Sequence, residues 1–291
     1  MDTIIQALVM GIVQGLTEFL PVSSSGHLII VPWLFGWDDA FITSLAFSVM
    51  LHLGTLIALL VYFRDDWLRL IPAGFATIRD RGFDGNPDRK LAWLLVAATI
   101  PAAIVGALFS DFFETQVRHV GLVALTLVIG GIILWIADRV GKQTKKVDDV
   151  TFPLAVGIGA AQTIALIPGI SRSGISISAG RFAGLDRESA ARFAFLMATP
   201  ITAGAIVFEA RKLLTGEAGV AVEVVPLIVG LVASLVSGVI AIRFMTTVAP
   251  RRSAATAATP ANLRMVLSFR SCPARCEASL THRRAGCLNP R

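Results

Sequence analysis

Four stretches of this 291-residue sequence contain no Asp, Glu, Lys or Arg and are apolar almost throughout: residues 41–63, 91–109, 120–137 and 224–242. A bilayer core about 30 Å thick is crossed by roughly 20 residues of helix, so each run is long enough to span it. With 55% hydrophobic and only 16% charged residues, the chain is not that of a soluble enzyme. The expected fold class is an all-α polytopic membrane protein. A helix satisfies its own backbone hydrogen bonds, which lipid cannot do.

The net charge of +6 invites a nucleic-acid reading until it is divided. Residues 243–291 carry nine Arg against one acidic residue, Glu277, for +8, which leaves −2 for residues 1–242. No general basic face exists, and no nucleic-acid partner is expected. Cys272, Cys276 and Cys287 all lie in the same tail, so the membrane body has no disulfide framework. The N-terminus, Met1-Asp2-Thr3, lacks a basic n-region and a small-residue cleavage site, and its first apolar run carries Gln14 and Glu18. It reads as retained.

Two further apolar regions are interrupted at their centres. Residues 3–37 contain Glu18, Pro21, Ser23-Ser24-Ser25, Gly26 and His27; residues 150–184 contain Pro168, Gly169, Ser171, Arg172, Ser173 and Gly174. Both read as broken re-entrant helical hairpins with polar tips. A shift of 148 residues lays Gly11 on Gly159, Gln14 on Gln162, Ser23 on Ser171, Ser25 on Ser173, Gly26 on Gly174, Ala46 on Ala194 and Phe47 on Phe195. Interrupted apolar segments at matching positions in two halves point to an internally repeated membrane fold with its site where the halves meet.

Charge orients the two halves. Let 3–37 re-enter from outside, 41–63 cross inward, 91–109 outward and 120–137 inward, 150–184 re-enter from inside, 193–208 cross outward and 224–242 return. The inside loops 64–90, 138–150 and 181–192 then hold thirteen Lys/Arg, and the outside loops 38–40, 110–119 and 211–223 hold three. Positive charge is concentrated inside, as the rule requires. The hairpins enter from opposite faces, which is an inverted-topology repeat: repeat one at about 3–137, repeat two at about 150–245, together one membrane domain over 1–245. Residues 246–291 form a basic tail expected to be disordered.

Gln14 and Glu18 are four apart and share a helix face that Pro21 ends. A carboxylate in lipid costs about 2.5–3.5 kcal/mol, so Glu18 is expected to serve a partner or a reaction. Ser23-Ser24-Ser25-Gly26-His27 reads as a serine-capped helix start whose free N–H groups attract anions, with His27 able to pass a proton to a phosphate oxygen. The second tip repeats this construction and adds Arg172, whose planar fork suits a phosphate. Two positive helix ends, Arg172, His27, Glu18 and several hydroxyls in a lipid-flanked cleft suit a phosphorylated lipid. His52 sits in an uninterrupted apolar run and reads as a helix-packing hydrogen bond. The tail residues Cys272, Cys276, His282 and Cys287 do not read as a metal cluster.

Gln14-x-x-x-Glu18, Pro-Val-Ser-Ser-Ser-Gly-His at 21–27 and Pro-Gly-Ile-Ser-Arg-Ser-Gly-Ile-Ser at 168–176 closely resemble the undecaprenyl-diphosphate phosphatases of the bacitracin-resistance type, over about residues 3–245. The resemblance implies an inverted repeat with broken re-entrant helices in the bacterial inner membrane. It implies removal of the terminal phosphate of undecaprenyl diphosphate for cell-wall glycan synthesis, with a divalent metal, Mg or Ca. It implicates Glu18, Ser24, His27 and Arg172 in catalysis and Gln14, Ser25, Ser171, Arg172, Ser173 and Ser176 in substrate binding. Glu18 is the expected metal ligand. Membrane lipids and a second copy of the chain are the other expected partners. Three departures stand out: Gln14 at a position that is Glu or Gln in the family, Ser176 for the usual Thr, and the Arg-rich end in place of a last apolar helix. The nucleophile is water or a hydroxyl such as Ser24; both fit the spacing. The rival function is a transporter or flippase of a polyprenyl phosphate, which needs the phosphate clamp but not Glu18 and His27 beside it.

Overall fold

A computed structural model describes residues 2–115, 117, 119–215 and 221–247, so the tail from residue 248 onward, with its cysteines, lies outside the described residues. The described chain is helical, and its one β-bridge, Lys145 with Leu185, is isolated. Ten α-helices follow in order: α1 (Thr3–Phe19), α2 (Ser24–Phe35), α3 (Leu45–Tyr62), α4 (Arg64–Asp80), α5 (Pro87–Thr115), α6 (Val120–Val140), α7 (Phe152–Gln162), α8 (Arg172–Phe182), α9 (Arg187–Thr215) and α10 (Val224–Thr247). Short 3-10 turns at Val147–Asp149 and Thr163–Leu166 flank α7. Five helices, α3, α5, α6, α9 and α10, are long and apolar enough to cross a membrane. The protein is an all-α, multi-pass membrane protein.

The two interrupted regions are helix–break–helix hairpins. In the first, Leu20 is extended (ψ 133°) because it precedes Pro21, so α1 stops at Phe19 and α2 starts three residues after the proline. In the second, α7 tightens into the Thr163–Leu166 turn, Pro168-Gly169 breaks it, and α8 restarts at Arg172. The hairpins exchange partners: α1 packs on α10 and α7 on α5, while α3 and α9 pack on each other.

Glycine makes those contacts close. A Cβ on Gly11 would stand 2.2 Å from the Gly230 carbonyl oxygen of α10, and one on Gly159 would stand 1.9 Å from the Ala98 carbonyl oxygen of α5. These two glycines superpose under the 148-residue shift. Each permits a backbone-to-backbone approach that no larger residue allows, the usual way that helices pack in lipid. The main core, including Phe19, Leu59, Leu95, Ile158, Phe195 and Ile242, lies between α1, α3, α5, α7, α9 and α10.

Residues 64–90, expected only as an inside loop, hold the additional helix α4. The crossing expected at 193–208 is part of the longer α9, whose N-terminal turn is fixed by the Asp186 carboxylate accepting from the Ser189 amide at 2.7 Å.

Candidate functional site

The first tip is shaped by a strained serine. Ser23 has φ 67°, ψ 97°, a region that non-glycine residues rarely occupy, and from there its Oγ accepts from the Gly26 amide at 3.4 Å and caps α2. The His27 Nδ1 lies 2.8 Å from the Ser23 carbonyl oxygen, tying the first turn of α2 back onto that residue. Ser24 opens α2, and its Oγ donates to Glu18 Oε2 at 2.5 Å; Gln14 Nε2 donates to the same oxygen at 3.0 Å. Gln14 and Glu18 therefore do share a face of α1.

The second tip reaches the same shape by other means. Gly169 takes the positive φ (95°), and a Cβ there would lie 2.0 Å from Thr126 Oγ1 of α6, so glycine is required twice over. Thr126 Oγ1 donates to the Pro168 carbonyl at 2.7 Å. Ser171 caps α8 through the Gly174 amide at 3.1 Å. Hydroxyl pairs recur in both tips, Ser23 with Ser25 at 3.3 Å and Ser171 with Ser173 at 3.1 Å.

The tips meet at one ion pair. Arg172 Nη2 donates to Glu18 Oε1 at 3.1 Å across 154 residues of sequence, and Ser173 Oγ donates to the Glu18 carbonyl at 3.2 Å. Each ion is steadied by a spanning helix. From α3, His52 Nε2 approaches Glu18 Oε2 at 3.4 Å while its Nδ1 lies 2.7 Å from the Ser48 carbonyl. From α9, Thr202 Oγ1 accepts from Arg172 Nη1 at 2.7 Å. Glu18 is 8% exposed and Arg172 25%, so the pair is shielded but reachable. Both terminal guanidinium nitrogens keep a second N–H for another acceptor.

This pair sits in the wall of a cavity of about 550 Å³. Ser24, Ser25, Ser171 and Arg172 line it with Glu18, and the rest is mostly apolar: Leu28 and Ile29 of α2, Val49 of α3, Ala103 and Gly106 of α5, Ile201, Gly204 and Phe208 of α9. The lining also carries Glu209 of α9. A largely apolar cavity with an arginine–carboxylate pair in its wall suits an amphiphile carrying a phosphate at its head.

Of the residues expected at the site, Glu18, Ser24, Ser25, Ser171 and Arg172 line the cavity, while Gln14, His27, Ser173 and Ser176 stand behind it. Ser176 Oγ donates to Gln162 Oε1 at 3.4 Å, linking α8 to α7. Sequence reasoning assigned His52 to packing and passed over Thr202. A signal existed for the first: Ser48, His52 and Thr55 fall at i, i+4 and i+7, a polar stripe on an otherwise apolar helix.

Glu18 is also the expected metal ligand. Among the described residues, no group of three or more His, Cys, Asp or Glu is placed to hold an ion. The donor set present is the Glu18 carboxylate and the buried Gln14 Oε1, which has no hydrogen-bond partner. A carboxylate, an amide oxygen, and phosphate and water oxygens from outside fit a hard divalent cation, which is commonly held by one or two carboxylates plus substrate phosphates.

Residues 7–259 match the family described as bacitracin resistance protein BacA. The chain belongs to that family. Among its relatives, the undecaprenyl-diphosphatase of Rubrobacter xylanophilus is 47% identical over 252 residues, 86% of this chain and 91% of the relative. That of Desulforudis audaxviator is 46% identical over 248 residues, 85% and 90% of the two chains, and that of Moorella thermoacetica 45% over 243 residues, 84% and 88%.

Proposed function

We propose that this chain is an undecaprenyl-diphosphate phosphatase: it hydrolyses the terminal phosphate of undecaprenyl diphosphate, regenerates the monophosphate carrier for cell-wall glycan synthesis and thereby confers bacitracin resistance. The relatives' names favour hydrolysis over carriage of a polyprenyl phosphate. The observation that carries the reading is the Glu18–Arg172 pair, drawn from two separate helix breaks into the polar end of an apolar cavity.

The geometry supports a division of roles. The incoming diphosphate competes with Glu18 for Arg172, and the guanidinium forks onto the terminal phosphate with the α2 and α8 N-termini beside it. Glu18, released from Arg172, keeps its contact with Ser24 and accepts that hydroxyl's proton. Ser24 Oγ attacks the terminal phosphorus, the bridging P–O bond breaks, and undecaprenyl monophosphate leaves with the proton that Glu18 returns to its oxygen. Water then attacks the phosphoserine, giving a proton to the Glu18 carboxylate, which passes it to Ser24 Oγ as the phosphoserine P–O bond breaks and inorganic phosphate is released. Nucleophile, base and orienting third group, here Ser24, Glu18 and His52, recur wherever a hydroxyl is activated. His27, bound to Ser23, holds the strained turn. Glu18 and Gln14 Oε1 would hold a divalent cation, which would supply neutralisation of phosphate charge there. Ser25, Ser171, Ser173 and Ser176 complete the polar end, either toward phosphate oxygens or by holding those that face them.

The membrane domain, 1–245, consists on this reading of inverted repeats at 3–137 and 150–245. The reciprocal packing of α1 on α10 and α7 on α5 supports it. The distribution of Lys and Arg supports an orientation with 64–90 cytoplasmic and the cleft facing outward; membership of the family supports a location in the bacterial inner membrane, where the chain works as a monomer or homodimer among membrane lipids. The test is phosphate release from purified, detergent-solubilised protein given a polyprenyl diphosphate. Binding without release overturns the reading.

A further inference from the structure

Between α3 and α5 lies α4 (Arg64–Asp80), a helix that the phosphatase reading does not employ. Its side chains fall into three sectors. Taking about 100° per residue, Leu70, Gly74 and Thr77 point one way, Leu68, Ile71, Phe75 and Ile78 a second, and Asp65, Arg69 and Arg79 a third, the sectors roughly 120° apart. The first faces protein: Leu70 is buried, and Trp93 Nε1 of α5 donates to the Gly74 carbonyl at 3.3 Å. The third is charged and exposed, with Arg69 paired to Asp66 and Asp88. The second is a continuous apolar ridge, its members 72, 53, 70 and 61% exposed.

Water is a poor neighbour for that ridge. Four large apolar side chains spaced three, four and three residues apart form the kind of exposed patch that marks a contact surface. The orientation of α4 identifies the contact. Arg69 meets Asp88, Gly74 meets Ala92 and Trp93, and Asp80 meets Arg89. About 16 Å of α4 thus faces only about 8 Å of α5, so the two helices cross steeply. Since α5 is a membrane span, α4 lies near the membrane plane, one residue beyond the end of α3. Protein, lipid and water on three sides is the environment of a helix at a membrane surface. Leu60 and Val61, near the end of α3 just before α4, are exposed apolar side chains as well. Arg64 and Arg79, near the two ends of α4, are exposed and paired with Asp65 and Asp80, and long cationic side chains are common at such a boundary.

We propose that α4 is an interfacial helix whose Leu68–Ile71–Phe75–Ile78 ridge is seated in the headgroup–acyl boundary of the leaflet where α3 ends and α5 begins. Its partner is the lipid surface itself, and its charged sector faces the aqueous phase. The ridge sets the depth of the inner ends of α3 and α5, independently of the chemistry at the tips.

Spin labels on single cysteines test this in the full chain with Cys272, Cys276 and Cys287 replaced by Ser, reconstituted into vesicles of phosphatidylethanolamine and phosphatidylglycerol. Labels at Ile71→Cys and Phe75→Cys should lie about 5–10 Å below the phosphates, with oxygen collisions exceeding those with a water-soluble nickel chelate. A label at Asp65→Cys should show the reverse order. Ile78→Cys supplies a further ridge position should either of the others fail to fold. Ridge labels as open to the chelate as position 65 would overturn the proposal. So would dipolar broadening between ridge labels, which would make the ridge an interface between two copies.

Discussion

The two tips are built alike and equipped differently. Each is a helix, a proline-containing break and a serine-capped helix, with a hydroxyl pair two residues apart. The first places its positive φ on Ser23 and carries a carboxylate; the second places it on Gly169 and carries a guanidinium. The first draws support from α3 through His52, the second from α9 through Thr202. Likeness of construction therefore does not imply likeness of chemistry. On the proposed mechanism, one tip holds the proton acceptor and the nucleophile, and the other holds the anion clamp.

If the labour is divided in this way, substitutions at the first tip act on the chemical step and those at the second on binding. The largest effect should come from Ser24→Ala, which removes the covalent step and should lower kcat by more than about a thousandfold. Mass spectrometry of acid-quenched wild type should find phosphate on Ser24. Glu18→Gln should lower kcat by at least about a hundredfold, the scale of losing a general base, in a phosphate-release assay across pH. Arg172→Lys should leave insertion intact yet lower kcat/KM by about a hundredfold, mainly through KM, because an ammonium cannot reproduce the fork. Thr202→Val removes one hydrogen bond to that fork and should raise KM by roughly tenfold, equivalent to about 1.4 kcal/mol. The smallest effect is expected at Gln14→Ala, a few-fold change in kcat with Gln14→Glu tolerated. A raised KM from Glu18→Gln or a kcat effect from Thr202→Val would blur the division.

Much of this was readable from the sequence because lipid simplifies the problem. Charge-free runs report spans directly, and Pro21 and Pro168-Gly169 report breaks because serines that can cap a new helix follow them, whereas the lone Pro101 and Pro200 lie inside helices. The paired serines and Arg172 were legible for the same reason: polar groups in lipid need partners. What escaped depended on helix rotation. His52 and Thr202 lie in uninterrupted apolar helices, and whether such a residue faces a neighbour or the site is decided by packing, which a single helix does not encode. The α4 helix escaped because its apolar residues alternate with charges, so its average resembles a polar linker although the spacing of Leu68, Ile71, Phe75 and Ile78 has a helical period.

Binding and chemistry can be separated in one pair of variants. Substrate affinity measured in detergent, alongside the rate of a single turnover, should show Glu18→Gln binding polyprenyl diphosphate at least as tightly as wild type, because Arg172 has lost its competing carboxylate, while failing to cleave it. Arg172→Lys should lose most of its affinity but cleave what it binds at a rate closer to that of wild type. The opposite pattern, with Glu18→Gln unable to bind and Arg172→Lys binding normally without cleaving, would contradict the assignment of chemistry to the first tip and clamping to the second.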